Sequence, residues 1–426
     1  MRLKSLKILG LLLVIVFSVS AFAQAKVEIE FWHRYSGYRD ELLAELVKNF
    51  NESQSDIVVK ASYQGNYETM LPKVLAAIAG GAAPHVVVID QFFVGELAEP
   101  GALVPLEDLI SDELREDMYE PFWQTAAYED TVYSLPWAMS NVILYYNKDI
   151  FDAAGMEYPN PDWTWDDLQN AAIALTQDTN GDGRTDIWGF DFPFGPNIGG
   201  PENTVWLLQC LIWQAGGQWL TDNNTRAGFN TPETATAVQF LVDLIHKHNA
   251  ATAHPDKEGE AFNRGIVAME FNSSSLVGYR DQSLPFRVGT TILPAGPVKR
   301  AANVGGANLA LIDTGTPEEQ AAAWEFVQYL TGTHAGVIWA KENGYIPTRF
   351  STIETESYQE FLEANPNARA YVEQLPYLTF RPTIPRYSEV SAQAYRFLER
   401  ALSGRMTVEE ALAEAEAAVN KVLSGQ

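Results

Sequence analysis

The chain has 426 residues, 46% of them apolar, and 29 basic against 55 acidic side chains, a formal charge of −26. That acidity disfavours nucleic acid and anionic membrane surfaces as partners, and the length exceeds what one hydrophobic core supports, so two or more domains are expected. Cys210 is the only cysteine, which excludes an intramolecular disulfide.

The first segment reads as an export signal. Arg2, Lys4 and Lys7 precede an apolar run over 8–17, and Ala21-Phe22-Ala23 supplies a small-residue cleavage site. Cleavage there leaves 26 basic against 55 acidic side chains, or −29. The run is about half a bilayer span, and no later stretch reaches roughly 18 consecutive apolar residues. A soluble, exported chain is expected, located in the periplasm and monomeric. No cysteine follows the cleavage site, so no lipid attachment is expected there.

Alternating β-prone residues predict a strand over 27–32. Asp40-Glu41 then opens a helix with Leu42, Leu43, Leu46, Val47 and Phe50 on one face. A strand over 57–63, a helix over 67–79 and a strand over 86–89 follow. This βαβα alternation predicts a parallel sheet with helices on both faces, its ligand beyond the carboxyl ends of the strands, at Trp32-His33, Tyr63 and Asp90-Gln91. A further strand is expected over 141–146, then a loop over 158–166 and long apolar helices to about 250. In one of these, Trp206-Leu207-Leu208-Gln209-Cys210 places the thiol in the core. Strands return at 266–271 and 288–293, and helices at 317–342, 388–402 and 408–423.

Two polar constellations invite a metal. Asp178, Asn180, Asp182, Arg184 and Asp186 occupy the odd positions of a calcium loop with Gly183 at the sixth, yet the twelfth, where a bidentate glutamate belongs, is Gly189. Structural Ca²⁺ and a metal-free Asn/Asp/Gly turn both fit that pattern, and no other cofactor is expected. His246, His248 and His254 fall at a helix end and in a polar loop, where solvated histidines are the rule. No phosphate-binding glycine loop or nucleophile elbow occurs.

Several stretches in order resemble one family: Phe31-Trp32-His33, Gly65-Asn66-Tyr67-Glu68, Leu144-Tyr145-Tyr146-Asn147-Lys148-Asp149, Ser273-Ser274-Ser275, Gly305-Gly306-Ala307 and Gly344-Tyr345-Ile346-Pro347. The chain resembles the family 1 extracellular solute-binding proteins of carbohydrate ABC importers, closest to the glycerol-3-phosphate-binding branch. The resemblance implies an α/β, two-lobed periplasmic-binding-protein (venus-flytrap) fold with a multi-stranded hinge. Crossings are expected at 138–142, 292–295 and 345–348. They divide the mature chain into an N-terminal lobe of 24–139 plus 295–346 and a C-terminal lobe of 140–294 plus 347–426.

It also implies a small solute as ligand, a carbohydrate, polyol or polyol phosphate, and ABC permease subunits as partners. Ligand contacts carried over from the branch fall on Tyr67, Ser140, Ser273 or Ser274, Gly306, Tyr345 and Arg386. The branch's acid falls on Gln91, with Asp90 just before it. Its paired tryptophans would lie near 192–198, where this chain has none, although Trp188 and Trp206 flank that stretch. Each position has a plainer reading: Tyr67 beside a helix cap, Ser140 and Gly306 accommodating a hinge or turn, the serines capping a helix, Arg386 solvated. A secreted carbohydrate-active enzyme would need two acids across a cleft, for which Asp90 and Glu68 are the nearest pair. A binding module coupled to chemosensing would share the receptor's ligand.

Overall fold

The computed structural model describes residues 26–195, 201–252 and 259–425. Ten strands form one sheet: β1 (Val27–His33), β2 (Ile57–Tyr63), β3 (Val86–Ile89), β4 (Ser134–Asn147), β5 (Trp188–Asp191), β6 (Ala251–Thr252), β7 (Val267–Ser273), β8 (Val288–Thr291), β9 (Ala302–Leu311) and β10 (Leu378–Thr379). The order is β2-β1-β3-β9-β4-β7-β5-β6, with β8 also on β4 and β10 on β9. β1 pairs in parallel with β2 and β3, as the βαβα alternation predicts. β9 then enters antiparallel between β3 and β4. The sheet is therefore mixed rather than wholly parallel, because β9 arrives from the far half of the molecule and not through a crossover helix.

β4 organises the two lobes. Its 14 residues are all buried. Residues 134–141 pair with β9, while 142–147 pair with β7 and β8. The strand expected over 141–146 is thus the second half of a longer one. Its first half contains Pro136, which has no N–H to give and would argue against a central strand. The register accommodates it with a bulge: Pro136 faces Asn308 and Ala138 faces Ala307, leaving Trp137 unopposed.

The segment 345–348 joins β4 where expected, Ile346 N–H donating to the Met139 carbonyl at 2.7 Å. The segment 292–295 does not cross. Ala295 N–H donates to Trp163 O, and Trp165 N–H to Ala295 O, which hold it on the far half. The chain changes halves through the start of β9 instead, where Val304, Gly305 and Gly306 face Asn141, Ser140 and Met139.

Helices cover both faces. Tyr38–Ser53 buries Leu43, Leu46, Val47 and Phe50, one helical stripe, against β2 and the helices Pro317–Thr331 and Thr333–Asn343. Pro201–Gln214, Pro232–Val242, Tyr387–Leu402 and Val408–Leu423 pack together over the other half. Cys210 is fully buried there, its sulfur accepting from Asn303 N–H at 3.2 Å. No helix among the described residues is long and apolar enough to cross a membrane.

Candidate functional site

A cavity of about 580 Å³ opens where the carboxyl ends of β1 and β3 meet β4 and β9. That size is typical of a small-molecule site. Its floor is backbone. Gly306 has φ 110, and a Cβ there would sit 2.0 Å from Ala138 O. At Gly305 a Cβ would meet Trp206 at 2.9 Å and Ser140 Oγ at 3.0 Å. Both positions need glycine so that β4, β9 and the helix carrying Trp206 can close together.

Aromatic side chains form the walls. Tyr67 opens the helix Tyr67–Ala79, whose N-cap Asn66 accepts from Thr69 N–H at 3.0 Å. Its hydroxyl donates to Gly306 O at 2.9 Å, which ties the helix to the floor. Tyr345 is buried and stacks on Trp339 with ring centroids 5.9 Å apart. Trp206 donates its indole N–H to Val304 O at 3.0 Å. Ser140, Ser273 and Ser275 add hydroxyls, the last two 3.0 Å apart. Aromatic faces cover C–H surfaces while hydroxyls and backbone groups fix orientation, which is the chemistry of holding a polyhydroxylated molecule.

The charged side chains of the lining are Arg34, Arg381, Asp90, Glu96 and Glu202. Arg381 Nη2 donates to Asp90 Oδ1 at 3.1 Å, and both residues are buried, at 5% and 6% exposure. Burial raises the Asp90 carboxyl above its ordinary value, against the pull of Arg381 and the Phe92 N–H. Arg34 follows the end of β1 and lies with its guanidinium carbon 4.2 Å from the Tyr67 ring centroid. At another part of the lining Glu96 lies near Glu202 and Ser388. Its carboxyl is pushed up to about 7, chiefly by burial and further by Glu202, against the hydrogen bonding of Ser388.

Of the positions expected from sequence, the cleft brings together Tyr67, Asp90, Ser140, Ser273, Gly306 and Tyr345. Gln91 is not on its surface: it points inward, and its side-chain amide donates to Val304 O at 2.7 Å. Ser274 is fully buried and its Oγ accepts from Asn141 N–H, so it serves the crossing strands, not the cavity. Arg386 lies outside the cleft. It is the N-cap of Tyr387–Leu402 at φ 63, pairs with Glu389 at 2.8 Å and donates to Val422 O. The expected place of Arg386 in the cleft is corrected: the arginine of this segment that lines the cavity is Arg381, five residues earlier. Arg34, Arg381 and Trp206 are lining residues that the sequence reading did not assign. Trp206 lies beyond the 192–198 window, of which 196–198 fall outside the described residues.

The 178–186 loop is an exposed turn held by its own acceptors. Asp178 accepts from Gly181 and Gly183 N–H at 2.7 Å, Asp182 from Arg184 N–H at 2.8 Å, and Asp186 from Thr179 at 2.7 Å. At Gly189, the twelfth position, a Cβ would lie 1.9 Å from Ala172 O, so packing leaves no space for the missing glutamate. His246 Nε2 contacts Leu402 O at 2.8 Å, and His254 lies outside the described residues. Among the described residues no three His, Cys, Asp or Glu side chains are grouped to hold a metal ion.

Comparison with known proteins agrees with this architecture. The family described as bacterial extracellular solute-binding protein matches residues 45–392. The sn-glycerol-3-phosphate-binding periplasmic protein of Yersinia pestis bv. Antiqua is 26% identical over 85% of this chain and 83% of its own length. Among solved structures, the cyclic α-maltosyl-1,6-maltose binding protein of Arthrobacter globiformis superposes with a TM-score of 0.83 at 30% identity, covering 94% of this chain and all of that one. An ABC transporter solute-binding protein of Thermotoga lettingae bound with α-D-tagatose gives 0.80 at 27% identity over 93% of this chain and all of that one. The relatives are receptors and not enzymes, and their fold is the two-lobed one built here around β4. The chain belongs to the bacterial extracellular solute-binding proteins.

Proposed function

We propose that the protein is the exported substrate-binding component of an ABC importer, and that its cleft captures one small polyhydroxylated solute, a sugar, polyol or polyol phosphate, for delivery to membrane permease subunits. The observation that carries this reading is the convergence of Tyr67, Trp206 and Tyr345 with Ser140, Ser273 and the bare Gly305-Gly306 backbone on one cavity. Relatives that bind glycerol 3-phosphate, a cyclic maltosyl maltose and tagatose support the ligand class and leave the individual solute to experiment.

The secretory pattern over 2–23 supports cleavage near Ala23 and a periplasmic address, and the acidic surface supports a monomer that avoids nucleic acid. The self-satisfied hydrogen bonds of the 178–186 loop support the metal-free turn over structural Ca²⁺. Thermal-shift screening of the mature protein against sugars, polyols and their phosphate esters tests the reading. A hit should bind one per chain and be recovered chemically intact. Turnover of the hit, or a screen in which no polyhydroxylated compound binds, would overturn it.

A further inference from the structure

The two arginines of the cleft are not equivalent. Arg381 already has a carboxylate, Asp90, at 3.1 Å, so the pair is internally compensated. Arg34 forms no ion pair with any described side chain, and its Nε is buried without a hydrogen-bond partner. Its guanidinium lies 4.2 Å from the Tyr67 ring centroid and 5.3 Å from that of Tyr35, so aromatic rings hold it in place. Tyr67 is itself fixed by Gly306 at 2.9 Å and by an edge contact with Phe93. A stacked guanidinium keeps its N–H edge available for bonding and matches the two oxygens of a phosphate or carboxylate. The nearest opposite charge that Arg34 feels is Asp90, whose carboxylate is already paired with Arg381, so two guanidiniums share one carboxylate and Arg34 keeps positive charge to spare for an anion.

We infer that Arg34 is the specificity-determining residue of the cleft and selects a solute that carries an oxyanion, a phosphate ester or a carboxylate, on a polyhydroxylated body. This deepens the reading of the cleft as a receptor site and rests on it. Arg34 binds the anionic end, while the compensated Asp90–Arg381 pair offers an acceptor and donors to hydroxyls.

The experiment is calorimetric titration of the full mature chain with matched compounds: glycerol and glycerol 3-phosphate, then glucose, glucose 6-phosphate and glucuronate. In the wild type an anionic member should bind at least about tenfold tighter than its neutral counterpart, and raised salt should narrow the gap. The phosphate and carboxylate arms identify which oxyanion is preferred. Arg34→Met should reduce the anionic-to-neutral affinity ratio about tenfold or more, and Arg34→Lys should restore part of it. A cooperative thermal transition in each variant establishes that it is folded. A neutral compound that binds more tightly than its anionic partner, or an Arg34→Met variant that weakens both equally, overturns the inference while leaving the receptor reading intact. Absence of binding by every compound, neutral or charged, overturns both.

Discussion

Arg381 and Asp90, 291 residues apart in sequence, meet at 3.1 Å inside the cleft and join the end of β3 to the segment that follows β10. Neither side chain reaches bulk water in quantity, so each is the other's main compensation. Arg381 also lies over the Phe92 ring at 4.8 Å, which ties the pair to the aromatic wall.

Removing one partner leaves the other charge buried. Arg381→Ala should cost about 3–5 kcal/mol of stability, read by denaturant unfolding, whereas Arg381→Met combined with Asp90→Asn should recover most of the loss. Equal stability of Arg381→Ala and wild type would show that the pair is open to water.

Arg386 carries a different expectation. Its guanidinium serves Glu389 and the Val422 carbonyl at the surface, with no contact to the cavity lining. Arg386→Ala should leave ligand affinity within about threefold of wild type and lower stability by no more than about 1 kcal/mol. A loss of about thirtyfold in affinity would return this residue to the binding site.

The difference between these two arginines shows where sequence reading stops. The strand ends at Trp32-His33 and Asp90 could be located because strand periodicity has a local physical cause, whereas the glycine pair in β9 is placed at the site only by the family resemblance. Within Arg381-Pro382-Thr383-Ile384-Pro385-Arg386 no periodicity tells which arginine turns inward. That depends on the left-handed backbone at Arg386, which starts the next helix, and on a carboxylate 291 residues away. Arg34 could have been found from its place directly after β1, at the end of the sheet already expected to face ligand. Pro136 concealed half of β4 because the bulge that accommodates it, with Trp137 unopposed, is defined only once β9 pairs alongside. The crossing expected at 292–295 failed for a related reason, since proline and small residues there mark a turn and carry no information on which half the chain joins.

Glu96 should make the fold sensitive to pH. Its folded carboxyl is raised from 4.5 to about 7, chiefly by burial, so the protonated form is favoured in the fold. The stabilising contribution is fully present below about pH 4.5 and is lost as pH rises through about 7. Melting temperatures measured from pH 4.5 to 8 should fall in the wild type relative to Glu96→Gln. Parallel curves for the two proteins would show that Glu96 titrates normally.

Cys210 should be inert in the native state. Burial pushes the thiol up to about 12, despite the Asn303 N–H, and the residue is fully enclosed. A disulfide reagent at pH 8 should label no thiol in the folded protein and one per chain in denaturant. Rapid native labelling would mean that the helix Pro201–Gln214 opens readily.

The central claim is that one cavity, walled by Tyr67, Trp206 and Tyr345, captures a polyhydroxylated solute without altering it. The most direct measurement is titration calorimetry of wild type and Trp206→Ala with the solute found by screening, followed by mass analysis of the recovered compound. The account predicts one site per chain, a loss of about tenfold or more in the folded variant, and an unchanged mass. Full affinity in Trp206→Ala, or a compound returned with a different mass, would contradict it.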